Sequence, residues 1–285
     1  MINRTVLMSG VDYFNAEQAI NPYMSKNDTI DLERARQEHT AIREALETAG
    51  VKVITVTPPR DCQDGVYTAN WALVRGNKAI VSRLPDARKG EEPYAKMVLT
   101  DLGKEVIEAS EGLHFSGQGD ALPCGKYLLA GNGYRSDAAA QTFAAEALGY
   151  KLVQLQTIPQ RNWYGKRVIN KDSGWPDSFF YDIDLALSVL RDDLIAWCPA
   201  AFTKESQTII RELPIEKIEV SVHEAKKAFA CNLVSTGETV IMSGTAPLLK
   251  AAIEAKGLKT ITPEIIELVK GGGYIRCTTL TLDNI

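Results

Sequence analysis

Apolar positions along this chain switch between two spacings, and the switch recurs five times. Leu32, Ala35, Ile42, Leu46 and Ala49 fall near helical spacing, and Gly50 then stops the run, so a helix is predicted over Asp31–Ala49. Short runs such as Thr5–Ser9 and Val51–Val56 read as buried strands. The same grammar predicts strands at Lys78–Ser82, Lys104–Glu108, Tyr127–Ala130, Lys151–Gln156, Leu194–Trp197, Lys217–Val220, Thr239–Met242 and Lys259–Ile261. Between them it predicts helices at Glu91–Leu102, Asp137–Leu148, Lys204–Leu213 and Pro247–Ala255. The unit is strand, strand, helix, strand (ββαβ). It returns after about 50 residues, a period that signals a repeat architecture.

Five such units fit the 285 residues, with the first split between the two ends of the chain. No low-complexity linker or charge block interrupts them, so a single domain over 1–285 is expected. A ring of five units would bring the unit starts to one central channel. Those starts carry Asp64 and Asn70, Ser116 and Asp120, Asp182 and Asp184, Asn232, and Cys277.

Composition narrows the function classes. Hydrophobic residues at 45% and charged residues at 24% are ordinary for a globular chain. A net charge of −4 supplies no basic field for nucleic acid. No run approaches the roughly 18 apolar residues of a membrane span, and the N-terminal stretch is interrupted too soon for a signal sequence. The five cysteines, Cys62, Cys124, Cys198, Cys231 and Cys277, are odd in number and contain no CxxC pair. A metal knuckle is therefore not expected, and a cytoplasmic protein with reduced thiols is.

The most informative window is Lys270-Gly271-Gly272-Gly273-Tyr274-Ile275-Arg276-Cys277-Thr278-Thr279-Leu280. Three glycines admit backbone angles closed to other residues and let a ligand or another backbone come close. A cysteine at the head of the Thr- and Leu-rich run that follows reads as a strand-mounted nucleophile. By itself the window also fits a turn before a buried, inert thiol.

Five segments together decide between those readings. Ile20-Asn21-Pro22-Tyr23-Met24, Asp64-Gly65-Val66-Tyr67-Thr68-Ala69-Asn70, Gly117-Gln118-Gly119-Asp120, Gly133-Tyr134-Arg135-Ser136 and Gly271–Cys277 occur in order at module spacing. The chain thereby resembles the guanidine-modifying superfamily of arginine deiminases, dimethylarginine dimethylaminohydrolases, amidinotransferases and arginine dihydrolases. The resemblance implies an α/β fold, the five-bladed α/β propeller called a pentein. It also implies a cofactor-free attack by the Cys277 thiolate on a guanidinium carbon, through a covalent adduct resolved by water or an amine. It places Asp64, Asp184 and Asn70 around the polar head of the substrate and Asn21 on a substrate-side loop. It gives the substrate carboxylate to Arg135, with Arg83 as a second candidate. Paired carboxylates suit a planar cation with fork-shaped donors. The implied partner is a small molecule, and self-association stays open.

Two departures bear on mechanism. The resemblance puts Asp182 where the family carries its general acid/base histidine, and Ser116 where it carries the glutamate that orients that histidine. Asp182 and Asp184, two apart, would share a strand face, so that one could hold a proton. His114, two before Ser116, is an alternative source of an imidazole. The readings carried forward are a hydrolase of a guanidino, ureido or related C–N bond, an amidinotransferase, and an inactive binding homologue.

Overall fold

The computed structural model describes residues 2–284. It contains five three-stranded sheets built to one plan. In sequence order the elements are β1 (Thr5–Ser9), α1 (Leu32–Thr48), β2 (Lys52–Val56), β3 (Ala72–Arg75), β4 (Lys78–Val81), α2 (Glu91–Asp101) and β5 (Glu105–Glu108). They continue with β6 (Ala121–Cys124), β7 (Tyr127–Gly131), α3 (Ala138–Leu148), β8 (Lys151–Leu155), β9 (Leu187–Arg191), β10 (Leu194–Trp197), α4 (Lys204–Glu212) and β11 (Glu216–Glu219). The last group is α5 (Val222–Lys227), β12 (Val234–Ser235), β13 (Thr239–Ile241), α6 (Pro247–Ala255), β14 (Lys259–Ile261) and β15 (Leu280–Thr281).

Within each sheet the central strand pairs antiparallel with one neighbour and parallel with the other. A helix makes the crossover between the parallel pair, as parallel strands require. The first sheet has the order β15-β1-β2, with Val6 opposite Thr281 and Leu7 opposite Leu280. It thus joins residues from both ends of the chain. The predicted strands and long helices are all present, with ends shifted by a few residues.

Adjacent sheets pack through their first strands and helices. β15 packs on β3, α3 on β3, β6 on β9, β12 on β9, and α1 on β13. The middle strands are almost fully buried, with Leu7, Ile80, Leu129, Ile195 and Val240 at their centres. Helix α1 starts at Asp31, whose side chain accepts from the Arg34 amide at 3.0 Å, and buries Ala35, Ile42, Ala45 and Leu46.

One difference from the sequence reading matters for the site. The segments leading into β3, β6 and β9 are not extended strands. Each makes a short 3-10 turn, at Thr68–Trp71, Gly117–Gly119 and Ile183–Leu185. Likewise the residues after Cys277 are turns, and β15 is only Leu280–Thr281. Gly117 adopts φ +57°, and a Cβ there would lie 2.8 Å from the Ala72 carbonyl. Only glycine permits that tight entry. The period-two argument about a shared face therefore fails at Asp182/Asp184.

Candidate active site

The 3-10 turns and the glycine segment deliver their polar side chains to a common pit. It is lined by Asn21, Asp64, Tyr67, Asn70, Arg88, Ser116, Arg135, Tyr181, Asp182 and Cys277. All of these side chains are buried. The space left is about 20 Å³, room for about one water molecule. A guanidino amino acid would need more room than this. The loop carrying Ile20 and Asn21 forms part of the wall, and Arg135 Nη2 donates to the Ile20 carbonyl.

Asn70 is oriented by elimination. Arg88 Nη1 donates to Asn70 Oδ1 at 2.8 Å. A guanidinium has no acceptor, so the amide oxygen must face it and the NH2 must face the other way. That NH2 donates to Ser116 Oγ at 2.9 Å and to Asp182 Oδ2 at 2.7 Å. Arg88 is itself locked by Glu91, with Nε to Oε1 at 2.8 Å and Nη2 to Oε2 at 2.7 Å. The Trp71 indole also donates to that carboxylate, at 3.0 Å. One oxygen of Asp182 is thus committed, and the other, Oδ1, is buried with no hydrogen-bond partner. Asp182 and Ser116 share one donor, Asn70, although 66 positions separate them in the chain (182 − 116).

The thiol is clamped by Asn232. The Cys277 amide donates to Asn232 Oδ1 at 3.1 Å, and Asn232 Nδ2 donates to Sγ at 3.2 Å. Sγ lies 3.5 Å from Asp184 Oδ2. Burial, with Asp184 beside it, pushes the thiol well above its ordinary pKa. Burial also raises the carboxyls of Asp120 and Asp184 well above the usual range, reinforced for both by neighbouring Asp182. Asp182 is raised by the same burial, while Arg135 and the Asn70 hydrogen bond hold it down. Asp64 is pushed up to about 6 by burial, against the pull of Arg88. With no cation between them, burial favours the protonated form of each, most at Asp120 and Asp184.

The glycine segment is held from two sides. Glu38 of α1 accepts from the amides of Ile266, Glu267 and Leu268 at 2.8–3.1 Å. Three side chains donate to its carbonyls: Tyr67 to Leu268 at 2.5 Å, Asn21 to Gly271 at 3.0 Å and Tyr181 to Gly272 at 2.8 Å. Gly272 has φ +86°, and a Cβ there would stand 2.4 Å from Asn21 Oδ1.

Two proposed site residues are not brought here. Arg83 gives Nη2 to Glu108 at 3.1 Å and to the Ala109 carbonyl at 3.0 Å, with Glu92 at 3.8 Å. Its charge is matched already, and it lines an outer groove rather than the pit. His114 lines the same groove, half exposed, with Nδ1 3.6 Å from Asp137 and its ring 4.2 Å from that of Trp175. Lying in that groove and outside the pit, it presents no imidazole to Cys277. Arg135 is buried in the pit, makes no ion pair among the described residues, and lies over the Tyr181 ring at 5.0 Å.

Sequence reasoning missed Arg88, Tyr67 and Tyr181. Arg88 sits in an Asp-Ala-Arg-Lys run that looks like a solvated turn. Its only cue is Glu91 three residues on, a spacing that pairs charges on a helical turn. Among the described residues no group of three or more His, Cys, Asp or Glu side chains is arranged to hold a metal.

A sequence profile described as "N,N dimethylarginine dimethylhydrolase, eukaryotic" matches residues 12–283. The chain belongs to this family. A dimethylarginine dimethylaminohydrolase of Mycobacterium tuberculosis is 30% identical over 282 residues, 98% of this chain and 86% of that protein. The bifunctional arginine dihydrolase/ornithine cyclodeaminase AgrE of Nostoc sp. is 31% identical over 280 residues. That match takes in 96% of this chain but only 37% of AgrE, so the chain spans well under half of that relative. Among solved structures, the N-terminal domain of the arginine dihydrolase ArgZ, a cysteine-to-serine variant bound to substrate, superposes with TM-score 0.87 at 29% identity. It covers 99% of both chains. Another variant of that ArgZ domain is described as covalently bound to a reaction intermediate. The structure of the dimethylarginine dimethylaminohydrolase family member from Pseudomonas aeruginosa, at 17% identity and TM-score 0.75, shares the fold.

Proposed function

We propose that this chain is a cysteine-dependent hydrolase that cleaves a C–N bond of a guanidino, ureido or related amino-acid substrate through a covalent Cys277 adduct. The observation that carries the reading is the meeting of Cys277, Asp64, Asp182 and an unpaired Arg135 around one pit, with Asp184 behind it, 3.5 Å from the sulfur. The carboxylates fit a guanidinium, and Arg135 fits the α-carboxylate at the other end. The names of the family and of its relatives, which act on arginine or dimethylarginine, support the substrate class.

A guanidinium brings the positive charge that the buried acids lack. Its entry favours carboxylates at Asp64 and Asp184 and a thiolate at Cys277, whose proton passes to a neighbouring acid. Sulfur then bonds to the guanidinium carbon. Asp182, protonated at the free Oδ1, gives its proton to the departing nitrogen as the C–N bond breaks, which leaves an S-amidino adduct. Water enters where the amine left, and Asp182, now a carboxylate, takes its proton. The carbon–sulfur bond breaks, the thiolate returns, and the product carries a ureido group. In this scheme Asp182 stands in for a histidine, and Asn70 with Ser116 orients it in place of a glutamate. We also propose that the five sheets close as one domain into a five-bladed propeller. The packing of every sheet on the next, and of α1 on β13, supports this.

Intact-mass spectrometry of the protein incubated with arginine, its methylated forms and ureido amino acids tests the chemistry. An adduct on the wild type that is absent from Cys277→Ala is expected. No adduct with any of the panel would sink the proposal. Adding an amine and finding an amidino product on it would assign group transfer instead of hydrolysis.

A further inference from the structure

A second cavity, of about 290 Å³, lies behind the nucleophile. Its walls come from the far ends of the same strands whose starts form the pit. They include Val189 in β9, Gly125 between β6 and β7, and Asn284 beyond β15. The two spaces are divided by neighbouring residues. Cys277 and Asp182 line the pit, while Arg276 and Asp184 line the cavity.

Arg276 is the unusual feature. It is 5% exposed, yet its guanidinium makes one hydrogen bond, from Nη1 to Thr281 Oγ1 at 3.0 Å. Among the described residues it has no ion-pair partner, and its remaining donors have no protein acceptor. Its free nitrogens are not sealed off; they open on the cavity, where an anion could meet them. Burial lowers its pKa to about 10, against the pull of Asp184. The buried amide nitrogen of Gln118 and the hydroxyl of Ser188, both in residues lining this cavity, also lack partners. The other basic residues of the wall are engaged. Arg75 donates to two carbonyls at 2.8 Å, and Lys126 sits over the Tyr127 ring.

We propose that this cavity is a binding site for a small monocarboxylate, held by the free donors of Arg276. A guanidinium presents parallel N–H groups that match a carboxylate. The cavity is at the small end of ligand pockets, so an occupant no larger than an amino acid fits. Asp184, Asp192 and Asp283 also line it, which disfavours a dianion such as phosphate. The site is coupled to the thiol through the Arg276–Cys277 peptide and through Asp184, which lies 3.5 Å from Sγ. A carboxylate on Arg276 neutralises a charge that favours the thiolate, so occupancy slows reaction at Cys277.

The test is calorimetric titration of the whole chain with sodium acetate and with inorganic phosphate, chloride balancing the ionic strength. Acetate is expected to bind with a dissociation constant of about 1 mM, and phosphate at least about tenfold more weakly. Arg276→Gln should lose acetate binding. So should Val189→Trp, which fills the cavity and leaves the guanidinium in place should the first variant not fold. Cys277→Ser and Arg135→Gln, which alter only the pit, should bind acetate as the wild type does. Saturating acetate should also slow iodoacetamide alkylation of Cys277 severalfold in the wild type but not in Val189→Trp. Acetate binding that survives Val189→Trp, or is lost in Arg135→Gln, overturns the proposal. So does tighter binding of phosphate, or no binding of either anion.

Discussion

At the level of single residues, the site is a problem of buried charge. Asp64 has a folded-state pKa of about 6 against 3.8 for the free side chain. Between those values the folded chain holds a proton that the unfolded chain has released. Stability is therefore greatest at the acid end of this window, falls as pH rises through it, and levels off above. The shift corresponds to about 3 kcal/mol by pH 7. Asp64→Asn is expected to remove that fall and to raise the melting temperature at pH 7 by several degrees, while substrate binding weakens. Thermal melts at pH 4, 5, 6 and 7 check it, and an unchanged slope would count against an ionised Asp64. Asp182→Asn keeps the hydrogen bond to Asn70 but holds no transferable proton. Turnover should drop by about 10²–10⁴ with little change in substrate affinity, which single-turnover kinetics with a separate binding measurement would show. If Asp182 only shapes the pit, affinity falls instead.

Among the elements, the parts that keep a period were readable in the sequence and the parts that break one were not. The helices α1, α2, α3, α4 and α6 and the middle strands follow from spacing, and Gly149 ends α3 in the left-handed region at φ +73° as its position suggests. The short 3-10 turns carry no periodic signal over three or four residues. They determine that Asp182 and Asp184 serve different partners, while His114 stays outside against Trp175 and Asp137. Ser116, Asn70 and Cys277 were found by motif rather than by pattern, and Arg88 was hidden because a buried arginine in a polar run looks like a surface one. The structure adds that α1 anchors the segment leading to Cys277 through Glu38. Glu38→Gln keeps the size but replaces a charged acceptor of three amides, at a cost of about 1.5–3 kcal/mol. It should lower the denaturation midpoint and slow Cys277 alkylation together. Gly272→Ala sets a Cβ against Asn21 and requires a φ that alanine avoids. It should cost about 1–3 kcal/mol and open the loop, seen as faster hydrogen exchange over residues 18–24.

On the scale of the whole molecule, five copies of one modest sheet leave no single hydrophobic slab to carry a site. The polar residues gather where the copies meet, and a guanidinium-sized ligand would touch segments from most of them at once. The proposed ring therefore predicts that ligand binding stiffens widely separated segments together. Hydrogen exchange should slow around residues 68–71, 117–119, 183–185 and 271–277 in concert when substrate binds the Cys277→Ala protein. Protection confined to one segment would argue against the arrangement. The sheet β15-β1-β2 has a further consequence for how the molecule is made. Residues 5–9 are made long before residues 280–281, and until those follow one of the two edges of β1 has no mate. During that interval β1 is a half-satisfied edge open to stray pairing. The sulfur at position 277, three residues before its strand, shares that wait, so the pairing of β1 with β15 and the setting of the thiol are completed together.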